Sequence, residues 1–152
     1  MPAVCSSQVL NIGRPLMPQE IRLVEITVVP DGRGLPSGSG QVSAGAAVYD
    51  KSCLSCHGGQ GTGKPQDQLL EGVGSLASGK LIKAAVSYWP AVAMLFVYTR
   101  RPMPIISPQS MTNDEVYAVT AHILSIEGVV PTDQHSMQNL SHASKCRTGT
   151  AL

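Results

Sequence analysis

Apolar positions recur at helical spacing in four stretches of the chain. In the alanine-rich run Gln41–Ser52, Val42, Ala46 and Tyr49 fall on one face at steps of four and three, which predicts a first helix. Gly45 lies one turn before Tyr49, where a glycine lets another helix approach closely, at an intrinsic cost of about 1 kcal/mol. Leu81–Trp89 is a second helical run, stopped by Pro90. Ala91–Arg101 is a third: Pro90 suits its first turn, and Arg101-Pro102-Met103-Pro104 ends it. The last is the clearest. Thr112 and Glu115 have the spacing of a capping box, and Val116, Val119, Ile123 and Ile126 form an apolar stripe with Tyr117 and Ala121 beside it. Gly128 follows Glu127 in the position that terminates a helix.

The chain before Gln41 lacks that rhythm. Ile21–Val29 is rich in β-branched residues with partial alternation and predicts one short strand, closed by the turn Pro30-Asp31-Gly32. A single strand has no partner to pair with, so residues 1–40 are expected to form an extended, mostly irregular arm lying on the domain or on a partner. Ser37-Gly38-Ser39-Gly40 has the composition of a flexible hinge leading into that domain.

Composition narrows the class. The 152 residues fit one domain, and a net charge of +1 with 14% charged residues gives no basic stripe for nucleic acid. No run of about eighteen apolar residues is present, so no membrane span is expected. Aromatic residues make up only 4%, a thin supply for a core of this length, and a bound apolar group would supply the missing mass. Met1–Asn11 has neither a basic start nor an apolar run, so no secretory leader is legible there.

The chemistry concentrates at Cys53-Leu54-Ser55-Cys56-His57. Two cysteines three apart can each take one vinyl group of a haem through a thioether bond, and the next histidine can then ligate the iron: this is the c-type haem attachment signature. A structural zinc site would need two more ligands, but Cys5 and Cys146 are isolated. A thioredoxin-like pair would follow a strand, whereas Gln41–Lys51 reads as helix. A disulfide across three residues is strained. The glycine cluster Gly58–Gly63 lacks the lysine ending and preceding strand of a phosphate loop.

A second iron ligand is expected at Met103, whose flanking prolines hold its thioether on a stiff loop. Met111 and, less well placed in mid-helix, His122 are the alternatives, while Met94 reads as core. Iron held by histidine and methionine stores and passes one electron at a fairly positive potential and leaves no position for substrate, so the chain is expected not to be catalytic alone.

With the CLSCH motif, the Arg-Arg-Pro-Met-Pro loop and a capped last helix, the domain resembles a class I cytochrome c. In that family the first helix crosses the last, here Gly45 and Tyr49 against Tyr117 and Ala121. The segments Gly13-Arg14-Pro15, Val29–Pro36, Ser87-Tyr88-Trp89-Pro90, Arg100–Pro104 and Asp114–Ala121 are similar, in order over residues 10–131, to the cytochrome c subunits of Sox sulfane (or sulfite) dehydrogenases. The resemblance implies an all-α, class I cytochrome c fold around one covalently bound haem c, over residues 41–131, with an extended N-terminal arm. It implies Cys53 and Cys56 as thioether attachments and His57 and Met103 as axial iron ligands. It further implies a periplasmic protein that accepts electrons from a molybdenum-cofactor sulfur-compound dehydrogenase subunit and passes them to a soluble cytochrome c. The alternative is a free-standing monohaem shuttle without a dedicated enzyme.

On that reading the arm is a docking element, Arg100 and Arg101 face the haem propionates, the partner or solvent, and Met1 is not the biological start or the chain is a mature or truncated form. Residues 132–152 depart from the family and are expected to form a divergent, disordered tail. Codons that fit Cys146–Leu152, read in the neighbouring frame, spell the family's ending, which points to a reading-frame slip after Pro131. Resequencing the gene checks this: an intact frame with unrelated codons disproves it.

Overall fold

Helix α6, Asn113–Ile126, supplies the surface on which the rest of the domain is laid. The computed structural model describes residues 13–24 and 27–133. In chain order the helices are α1 (Pro18–Val24), α2 (Val42–Ser52), α3 (Leu54–His57), α4 (Ala85–Tyr88), α5 (Val92–Arg100) and α6, with single 3-10 turns at Gly59–Gly61 and Ser75–Ala77. No strand occurs among the described residues. The fold is all-α, as expected.

α6 begins where its sequence says it should. Thr112 Oγ1 accepts the Glu115 N–H at 3.2 Å, and Glu115 Oε2 accepts the Thr112 N–H at 2.8 Å. Gly128 follows in the left-handed region at φ 68°. The Thr112 contacts hold the Glu115 carboxyl below its usual pKa. A carboxylate shifted down in the fold stabilises it above the unfolded pKa, and this contribution fades as pH falls through the folded value. Thr112→Ala is expected to lose about 1 kcal/mol of stability, read as a lower midpoint in urea unfolding.

α2 crosses α6 at the predicted glycine. A Cβ on Gly45 would lie 2.0 Å from the Ala118 carbonyl oxygen, so the two backbones are in contact there. The partner is Ala118, one turn before the expected Ala121, and Tyr49 packs on His122 with ring centroids 5.6 Å apart. α5 closes the core from another side: Phe96, wholly buried, meets Tyr117 at 4.5 Å between centroids. With Val92, Val116, Val119 and Leu124 these two rings make up most of the fully buried bulk.

Three expectations are corrected. Pro18–Val24 is a helix, where the sequence predicts the start of a strand over Ile21–Val29. Pro18 occupies the first helical position, where its missing N–H is not needed, and Glu20 reaches back to accept the Met17 N–H at 2.8 Å while pairing with Arg14. These local bonds outweigh β-branched composition, a weak preference without an edge to pair with.

The run Leu81–Trp89 is helical only over Ala85–Tyr88. Ser87 Oγ accepts the Ala84 N–H at 3.1 Å and donates towards the Ile82 carbonyl, fixing the helix start four residues late.

The Ser37–Gly40 segment is no free hinge. Tyr117 Oη donates to the Pro36 carbonyl at 2.7 Å, Asn113 Nδ2 to that of Ser37 at 3.1 Å, and the Ser39 N–H to Asp114 Oδ1 at 2.7 Å. Gly40 is buried with its Cα against Ala118. Small residues here permit close backbone approach rather than movement. The tail expected over 132–152 lies outside the described residues from Gln134 onward, as do Cys5 and Cys146.

Candidate functional site

The site is built where α2 ends and α3 turns away. Cys53 leaves helical geometry at φ −122°, ψ −36°, yet its carbonyl accepts the N–H groups of Cys56 at 3.1 Å and His57 at 2.9 Å. Residues at i, i+3 and i+4 share one face of a helical turn, so Cys53, Cys56 and His57 are presented together. Gly58 then ends the turn in the left-handed region, φ 73°, a conformation costly for a side chain. A Cβ there would also press on the Gly63 carbonyl.

His57 is oriented from behind. Its Nδ1 lies 2.9 Å from the Asp67 carbonyl oxygen. A carbonyl can only accept, so the proton sits on Nδ1 and Nε2 is left with its lone pair. The loop supplying that carbonyl is pinned to the same turn: the Gly63 N–H donates to the His57 carbonyl at 2.8 Å and the Gln66 N–H to that of Cys56 at 2.9 Å. A backbone acceptor carries no side-chain signature, so the sequence gives no sign of Asp67.

The three side chains open on a cleft of about 300 Å³. Met103, Pro104 and Ile105 line it from the loop after α5, Leu95 and Ile123 from the core, and Leu69, Ala84, Ala85, Trp89 and Tyr98 around it. Most of this wall is apolar, suited to a flat hydrophobic group. Cys53 and Cys56 are free thiols, and burial, aided by the neighbouring Cys56, pushes the Cys53 pKa up to about 11. Among the described residues no three His, Cys, Asp or Glu side chains converge as a metal cage.

The candidate second ligands separate. Met103 and Met111 both line the cleft. His122 does not: it is half-buried against Tyr49, and burial lowers its pKa while Asp50 opposes the shift. Met94 is 40% exposed on the outer side of α5, correcting its assignment to the core. Arg100 and Arg101 border an adjoining pocket with Gln109 and Thr112 and are absent from the cleft wall.

Comparison with known proteins bears on this arrangement. Residues 42–127 match the cytochrome c family model. No curated protein matches. Among solved structures the chain is similar to the sulfane dehydrogenase SoxCD from Paracoccus pantotrophus: TM-score 0.81 and 33% identity, covering 95% of this chain and 72% of that one.

Proposed function

The chain belongs to the cytochrome c family, whose members carry covalently bound haem c, and we propose that it is the monohaem electron-transfer subunit of a sulfur-compound dehydrogenase. The observation that carries this reading is the shared cleft. It brings the two thiols and the imidazole of one helical turn together with a thioether from a loop far along the chain.

The residues fit the haem of that family. Cys53 and Cys56 would hold it through one thioether bond each, their thiols being the two that line the cleft beside His57. His57 offers the Nε2 lone pair because Asp67 fixes the proton on Nδ1. Met103 offers a neutral sulfur, a weak ligand that depends on delivery by a proline-flanked loop. When bound, the haem supplies a one-electron iron couple. Leu95, Ile123 and the surrounding apolar wall exclude water, which favours the less charged, reduced state.

Similarity to the sulfane dehydrogenase supports the choice of partner, since it extends over 95% of the chain, more than the haem domain alone. On this reading a molybdenum-containing subunit, acting on sulfane or sulfite sulfur, delivers electrons in the periplasm, and a soluble cytochrome c removes them. Co-purification with a molybdenum-containing subunit tests the assignment. A chain that stays alone at native levels would instead be a free-standing shuttle.

Met103→Ala is expected to leave the haem covalently attached, abolish the weak near-infrared sulfur-to-iron band and lower the reduction potential. Visible and near-infrared spectra of both oxidation states check this. Survival of the band would move the ligand to Met111, the other methionine on the cleft wall.

A further inference from the structure

Tyr49 is 2% exposed, and its phenol is aimed at the site's backbone rather than at solvent. Its Oη donates to the Gly58 carbonyl at 2.9 Å. Gly58 is the residue immediately after His57, and its own N–H is bound to the Leu54 carbonyl at 2.9 Å. The same Gly58 carbonyl accepts a longer bond, 3.2 Å, from the Gly61 N–H. Beyond it, the His57 carbonyl is held by the Gly63 N–H. Burial raises the Tyr49 pKa, so the phenol keeps its proton and continues to donate around neutral pH.

Resting on the haem reading above, we infer that Tyr49 is a positioning residue for the axial histidine. Its hydroxyl clamps the Gly58 peptide and so sets where the backbone delivers His57, while Asp67 sets how the ring is turned. The phenol ring has a separate duty at the α2–α6 crossing, against His122. Tyr49→Phe separates the two, because it keeps the ring and removes the hydroxyl.

Tyr117 provides the control. It too is a buried phenol donating to a loop carbonyl, that of Pro36 at 2.7 Å, and it makes no contact with the α3 turn through that bond. Proton NMR of the ferric holoprotein reads the haem-methyl shifts, which depend on the orientation of the axial imidazole. Amide exchange reads the turn itself.

In Tyr49→Phe the methyl pattern is expected to move and the Gly58 and Gly63 amides to exchange about fivefold faster, the loss of one neutral hydrogen bond. In Tyr117→Phe both are expected to match the parent. Equal changes in the two variants would mean general loosening and overturn the inference, as would no change in Tyr49→Phe. A parent holoprotein with no near-infrared sulfur band but an intact imidazole signature would displace Met103 alone. A parent without covalent haem would sink the site reading, and this inference with it.

Discussion

Replacing Cys53 and Cys56 together by serine is expected to yield a protein without covalent pigment and without a stable fold at 37 °C. A hydroxyl does not add across a vinyl group under the conditions in which a thiol does, so no bond to the porphyrin forms. The consequence for folding follows from what lines the cleft. Leu69 and Trp89 line it and are only half-buried by protein, so without the porphyrin they lack the apolar partner that would cover them. The remaining core is built largely from small and medium aliphatic side chains, with Phe96 and Tyr117 as its principal rings. A domain of this size holds about 5–15 kcal/mol in total, and a tightly held ligand commonly contributes a large part of such a sum. Acid-acetone extraction and far-UV melting of the double variant measure the two effects. Pigment that stays with the protein, or an unchanged melting point, would contradict the assignment.

Gly45→Val is expected to destabilise the domain by about 3 kcal/mol or more, through overpacking of a backbone contact. The new Cβ alone would sit 2.0 Å from the Ala118 carbonyl oxygen, 2.6 Å from its carbon and 2.7 Å from His122 Cβ. Neither backbone can yield locally, so the helices must separate along their whole crossing and the packing of Tyr49 and Val42 is lost with them. Replacing a helical glycine by valine contributes only about 0.5 kcal/mol in the opposite direction, so the clash decides the sign. At about 4–8 °C per kcal/mol, the midpoint should fall by more than about 10 °C. Gly59→Ala is the control: nothing lies within 4 Å of its added Cβ, and its effect should stay within about 1 kcal/mol. Similar melting of the two variants would show that the crossing tolerates a side chain.

What could be read from the chain alone was whatever is encoded by side chains over short distances. The capping box at Thr112 and Glu115, the glycine that admits a second helix, and the cysteine pair followed by histidine are all of this kind. Other features depend on backbone atoms or on what lies opposite. Asp67 acts through its carbonyl, so no residue type announces it. Ile21–Val24 has strand-like composition but is helical because Pro18 and Glu20 start the turn before it. Met94 sits in an apolar run and still faces outward, since the run is long enough for α5 to have an outer side. Met103 and Met111 were separable by loop stiffness alone, and both reach the cleft.

The attachment of Pro36, Ser37 and Ser39 to the first turns of α6 alters where the functional unit begins. A version trimmed to start at Gln41 would leave the hydroxyl of Tyr117 without its acceptor in a site that is 1% exposed, and Asp114 without the amide it now holds. Whatever grips the leading segment therefore also grips α6, and through Ala118 the helix that carries Cys53 at its end. The leading segment, α6 and the helix that ends at Cys53 are thus joined by one unbroken run of contacts.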